Sequence, residues 1–141
     1  MKIVELRTIS EMRRLFPLIR QLNPGMTEAV FKRYLPAMQK AGYRALAAID
    51  GKEILGTTGF WVGTRFWCGP YVEVDNLVVA EKYRNCGVGK RLMEALEKEA
   101  KKRSSSILIA DSYTHNAASH RFYFREGYII KGFCFVKELK G

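Results

Sequence analysis

Two rhythms of apolar and polar positions run along the 141-residue chain. Lys2 to Arg7 alternates, with Ile3, Val4 and Leu6 apolar, and predicts a short first strand. Thr8 and Glu11 then stand at capping-box spacing ahead of Met12, Leu15, Phe16, Ile19 and Leu22, which repeat at helical spacing. Pro17 lies inside that pattern, removes a backbone hydrogen bond, and should kink or split the helix. Asn23-Pro24-Gly25 predicts a turn. Thr27 is placed to cap a second helix whose apolar face is Val30, Phe31, Tyr34, Leu35 and Met38; Pro36 should bend it and Gly42 end it.

Tyr43 to Ile49 predicts a strand, Asp50-Gly51 a hairpin turn, and Glu53 to Val62 the return strand, weakened by Gly56 and Gly59. Gly63 to Pro70 reads as an aromatic loop or hairpin tip, and Tyr71 to Val79 as the next strand. A helix from about Gly87 to Arg103 carries Val88, Leu92, Met93, Leu96 and Ala100 on one face, with Glu and Lys or Arg at i,i+4 on the other. Ile107 to Ala110 is a short apolar strand, and Asp111 to His115 a loop. Asn116 caps a last helix through about Arg125, closed by Gly127, and Tyr128–Lys131 and Phe133–Glu138 are the final strands. The expected order is β-α-α-β-β-β-α-β-α-β-β, a mixed α/β fold in one domain, residues 1–141.

Composition changes the picture in three ways. An apolar content of 48% supplies one sizeable core and argues against disorder. A net charge of +10 suits an anionic ligand and is equally the footprint of a nucleic-acid binder. Cys68, Cys86 and Cys134 form no Cys-x-x-Cys pair and leave an odd count, so a disulfide framework is not expected and a reducing, cytoplasmic setting is. No stretch reaches the roughly 18 apolar residues of a membrane span, so no membrane partner is expected.

The candidate chemistry starts at Leu77-Val78-Val79, which runs through Arg84-Asn85-Cys86-Gly87-Val88-Gly89-Lys90 into a helix. A strand, a glycine loop and a helix start expose backbone N–H groups at a helix N-terminus, where the dipole favours an anion. Gly87 and Gly89 allow close approach of a ligand, and Arg84 and Lys90 add positive charge. A Walker A loop is excluded, because Arg84 holds the first glycine position and Arg91 follows Lys90. A dinucleotide fingerprint fails at Leu92. Taken alone, the remaining Arg-x-x-Gly-x-Gly also fits a tight turn without a ligand.

That pattern resembles the acyl-CoA pyrophosphate loop of the GNAT family of N-acetyltransferases. The stretch from Asn116 to Tyr128 resembles the family's second signature, Asn-x-x-Ala-x-x-(Leu/Phe)-Tyr-x-x-x-Gly-(Phe/Tyr), with Ser119 in place of the usual alanine. The resemblance implies a GNAT fold: a mixed, mostly antiparallel sheet of six to seven strands with one central parallel pair, flanked by about four helices. It implies acetyl-CoA as cosubstrate and no metal; no His, Cys and Asp cluster has ligand spacing either. It assigns the coenzyme to backbone groups of Leu77, Val78 and Val79 on a bulged strand, to Arg84, Asn85, Cys86, Gly87, Val88, Gly89 and Lys90, and to Asn116, Ser119 and Tyr123. A bulge near Asn76 would aim a backbone N–H at the thioester oxygen. Tyr123 would protonate the departing thiolate.

Glu73 and Asp75 share one face of their strand by period-two alternation. The resemblance makes Glu73 the first candidate to deprotonate the incoming ammonium and Asp75 the second. Both also fit simple binding of a cationic substrate. His115 lies in the loop beside the second signature, and His120 reads as a surface or packing residue. Cys86 lacks an activating base in sequence and reads as a loop filler. The expected reaction is direct acetyl transfer to a primary amine on a small molecule. The alternatives are a protein or peptide lysine or N-terminus, or a non-catalytic acyl-CoA-binding or nucleic-acid-binding regulatory module; nucleic acid is the less expected partner. Phe60-Trp61, Phe66-Trp67 and the first two helices would line the acceptor pocket. A homodimer is expected by analogy with the family.

Overall fold

The computed structural model describes residues 1–140. The chain forms two compact units, Met1–Ala110 and Asp111 onward. In the first unit the elements are β1 (Lys2–Leu6), α1 (Ile9–Arg13), α2 (Phe16–Leu22), α3 (Glu28–Lys40), β2 (Arg44–Asp50), β3 (Glu53–Arg65), β4 (Gly69–Val79), a 3-10 turn (Glu81–Tyr83), α4 (Val88–Lys102) and β5 (Leu108–Ala110). The second unit holds α5 (Ala117–Arg125).

Local signals set the helix ends. Thr8 and Glu11 form the capping box: Glu11 N–H donates to Thr8 Oγ1 at 3.1 Å, and Thr8 N–H donates to Glu11 Oε2 at 3.0 Å. Pro17 splits the first helical pattern, as its missing N–H requires, and occupies the first turn of α2, where no intrahelical donor is lost. Thr27 Oγ1 accepts from Val30 N–H at 3.2 Å. Gly42 follows α3 at φ +106°, a conformation an L side chain resists.

The sheet runs β1-β2-β3-β4-β5 in space, antiparallel except for the β4–β5 pair. Ala45 and Ala47 pair with Gly59 and Thr57, so these four share a face, and it is covered by Met12, Ile19, Phe31 and Leu35 from α1, α2 and α3 and by Leu15 from the turn between the first two. Gly56 points the other way, toward α4, where an added Cβ would meet Val88 Cγ1 at 3.0 Å and Leu92 Cδ1 at 3.3 Å. Helix α4 buries Val88, Leu92, Met93, Leu96 and Ala100 there. The sheet is therefore sandwiched between two helical layers inside the first unit.

The fold is the mixed, mostly antiparallel one expected, with corrections. Among the described residues five strands form, not six to seven, and the parallel pair lies at one edge rather than the centre. Among the described residues there are five α-helices, because Pro17 makes two of one. Strand β3 runs to Arg65 and β4 starts at Gly69, so the aromatic loop shrinks to Phe66–Cys68. Tyr128–Lys131 and Phe133–Glu138 form no strand. Phe133, Phe135 and Val136 are more than four-fifths exposed. Aromatic and β-branched residues favour a pleated, half-buried surface, but without a ladder partner their composition alone makes no strand.

Leu92 is fully buried between α4 and the sheet. Leu92→Ala should lower the unfolding free energy by about 2–5 kcal/mol in urea titrations followed by far-UV circular dichroism.

Candidate active site

Strand β4 carries the feature that shapes the site. Gly59 of β3 pairs with Asp75, and Thr57 pairs with Val78, so two residues advance on β3 while three advance on β4. The extra residue is a β-bulge at Asn76–Leu77, and Asn76 sits at φ +62°. Because Gly59 and Thr57 share a face, Asp75 and Val78 do too, although three apart; without the bulge Val78 would face α4.

The parallel ladder pairs Val72, Glu73 and Val74 with Leu108, Ile109 and Ala110 and stops there. Strand β4 continues for five more residues, and among the described residues no strand lies on that side of Asp75–Val79. One tie comes from α2, where Gln21 Nε2 donates to the Val79 carbonyl at 2.9 Å. The far end of β4 enters the 3-10 turn, which is fastened to the start of β3: Tyr83 O–H donates to Glu53 Oε2 at 2.6 Å, and Lys82 pairs with the same carboxylate.

The loop that follows is exposed from Arg84 to Gly87. Asn85 at φ +61° and Gly87 at φ +79° turn the chain sharply into α4. Gly87 is the N-cap residue, no side chain caps the helix, and the first turn holds no acid. The first N–H groups of α4 therefore lack protein acceptors from a cap. Arg84 and Lys90 are exposed and pair with no carboxylate among the described residues. Cys86 is exposed, its thiol 3.5 Å from the Arg84 carbonyl.

Glu73 and Asp75 lie on the same face of β4, with Trp61 and Arg65 of β3. Arg65 Nη2 is 3.2 Å from Glu73 Oε2, and its guanidinium lies over the Tyr71 ring at 4.3 Å. Trp61 Nε1–H donates to Asp75 Oδ2 at 2.8 Å. Trp61 in turn packs on Tyr43, ring centroids 5.2 Å apart. Phe60 is removed from the expected acceptor wall: it is fully buried on the α4 face, while Phe66 at the hairpin tip is fully exposed. The pattern did not reveal Tyr43 or Arg65 as site residues. The signal for Tyr43 was Gly59, since an isolated strand glycine marks a close approach.

In the second unit, Asn116 Oδ1 accepts from Ser119 N–H at 3.1 Å and caps α5. Ser112 Oγ and Ser119 Oγ are 3.0 Å apart. Tyr123 makes edge contacts with Phe122 and Tyr128, at centroid distances of 5.6 and 5.1 Å. His120 Nε2 is held at 2.9 Å from the Tyr113 carbonyl, and the His115 ring stacks on Tyr113. Among the described residues no group of His, Cys, Asp and Glu gathers that would hold a metal ion, and no helix is long and apolar enough to cross a membrane.

A family model described as the acetyltransferase (GNAT) family matches residues 8–128. The chain belongs to the GNAT acetyltransferase family. It is thus a transferase. Solved GNAT-fold structures agree with its architecture. A ribosomal-protein-alanine N-acetyltransferase from Brucella melitensis biovar Abortus 2308 is 19% identical with a TM-score of 0.83, over 99% of this chain and 100% of that one. An aminoglycoside N-acetyltransferase in complex with CoA is 16% identical with a TM-score of 0.85, over 99% and 95%. An aminoglycoside 6'-N-acetyltransferase from Acinetobacter haemolyticus is 17% identical with a TM-score of 0.81, over 99% and 100%. No curated protein sequence matches the chain.

Burial pushes the Tyr43 hydroxyl well above its ordinary pKa, only partly opposed by the hydrogen bond from Asn76, while the charge of Asp75 pushes the same way. A raised folded-state pKa means the folded protein keeps a proton that the unfolded chain loses above about pH 10. Tyr43's contribution to stability is complete below that pH and is lost as pH rises further. The unfolding free energy should therefore fall more steeply above pH 10 in the wild type than in Tyr43→Phe, as read from urea titrations across that range.

Proposed function

We propose that this GNAT protein transfers the acetyl group of acetyl-CoA to the primary amine of a small molecule by direct attack. The observation that carries the reading is the course of β4. The strand loses its parallel neighbour after Val74, bulges at Asn76, and delivers the chain to an uncapped helix start flanked by Arg84 and Lys90. An extended, amide-bearing pantetheine fits beside the unpaired edge at Leu77, Val78 and Val79. The diphosphate fits the backbone of Asn85 to Gly89 at the positive end of α4, with Arg84 and Lys90 adding charge.

On this reading the bulge directs a main-chain N–H at the acyl oxygen, where negative charge develops as the amine attacks. The family resemblance ranks Glu73 ahead of Asp75 as the group that takes the ammonium proton, directly or through water. Arg65 holds Glu73 and the Trp61 indole holds Asp75, and both carboxylates attract a cationic acceptor. Tyr123, assigned by the second signature, gives its proton to the leaving sulfur. Asn116 and Ser119 belong to the coenzyme site on the same ground.

Release of free CoA against a panel of amino acids, polyamines, aminophosphonates, aminoglycosides and lysine peptides should be stimulated by a small amine. Stimulation by the peptides alone would move the acceptor to protein, and none at all would leave a binding module. With the acceptor in hand, Tyr123→Phe should lower kcat by about a hundredfold or more, with KM for acetyl-CoA little changed; an unchanged kcat would remove Tyr123 from the acid role. Gly87→Trp, folded by circular dichroism, should abolish acetyl-CoA binding in calorimetry. Retained affinity would place the diphosphate elsewhere.

A further inference from the structure

Tyr43 stands just ahead of β2, buried to 4% exposure, and its hydroxyl reaches across β3 to β4. Asn76 Nδ2 donates to Tyr43 Oη at 3.1 Å. Asn76 is the bulge residue at φ +62°, in a region that asparagine tolerates better than most L residues but does not prefer. Between them lies Gly59. A Cβ there would sit 1.8 Å from Tyr43 Oη, 2.3 Å from its Cζ and 2.5 Å from the Asp75 carbonyl oxygen. The glycine thus clears the path for the hydroxyl. The Tyr43 ring packs on Trp61, whose indole holds the Asp75 side chain on the bulge's other flank.

Each part of this cluster works against simple stability. A strand is weakened by a central glycine, a buried phenol needs a partner, and a left-handed asparagine is strained. A phenylalanine at 43 with an unbroken β4 would avoid the last two, although Gly59 would still have to clear the ring edge, whose Cζ lies 2.3 Å from where a Cβ would sit. Strain concentrated in this way belongs where geometry is needed for chemistry. We propose that Tyr43 is a positioning residue that locks the β4 bulge through Asn76, fixing the direction of the main-chain N–H groups at Asn76 and Leu77. The proposal rests on the acetyl-transfer reading above for its kinetic consequence, but the lock itself is a property of the unliganded fold.

Tyr43→Phe keeps the ring on Trp61 and removes only the hydroxyl. Relaxation-dispersion NMR should show millisecond conformational exchange at Asn76 and Leu77 in the variant that the wild type lacks, with Val72 and Val74 unchanged. No new exchange at Asn76 and Leu77 overturns the lock, whatever the enzyme does. In steady-state assays kcat should fall about tenfold, with KM for acetyl-CoA within twofold. A rise in KM alone, or no change, overturns the positioning role. Asn76→Gly retains the left-handed backbone and removes the donor; it should show the same loss, and the double variant no further loss. Additive losses would mean the two residues act separately. If the wild type transfers acetyl to no acceptor, the proposed function falls, while the exchange measurement still judges the lock.

Discussion

One inserted residue governs the geometry of this molecule. Where β3 spends two residues, β4 spends three, and the phase of every later side chain on β4 inverts. Before the bulge, the face shared with Ala45 and Ala47 carries Glu73 and Asp75. After it, the same face carries Val78, which is buried. A single strand thus supplies charged groups to an open surface and, within three residues, an apolar group to the core. The bend also coincides with the end of the β5 ladder, so main-chain groups become available where the side chains change character.

The glycine loop depends on the same strand. Its entry is pinned by the contacts of Glu53 with Lys82 and Tyr83, and its exit by the buried face of α4. Between these fixed ends the chain must turn within four residues, and two positive φ angles accomplish it. What results is an uncapped helix start with positive charge beside it and no carboxylate in its first turn. Family membership gives that start its meaning. The resembling structures include enzymes named for a ribosomal-protein alanine and for aminoglycosides, so one architecture hosts very different acceptors.

What could be read in advance was what is decided locally. Thr8 with Glu11, Thr27 with Val30 and Asn116 with Ser119 are caps spanning three residues, and each formed. Pro17 broke its helix because its chemistry acts on adjacent turns. The glycine motif and the bulge at Asn76 were legible through resemblance rather than periodicity. The pairing of Arg65 with Glu73 depends on hairpin register, and that of Tyr43 with Asn76 joins residues 33 apart, so neither is written in any short window. The last two predicted strands failed for the converse reason: Tyr128–Lys131 and Phe133–Glu138 are rich in apolar, strand-favouring residues, but a ladder is a property of two segments.

Trp61 is one of two tryptophans, and the other, Trp67, stands half-exposed at the hairpin tip. The indole of Trp61 touches the side chain of Asp75 on one side and the Tyr43 ring on the other. Its emission is therefore a built-in optical gauge of that carboxylate's surroundings, and replacing Trp67 would leave a chain whose tryptophan fluorescence, excited selectively over that of its tyrosines, comes from the acidic face of β4 without any added dye.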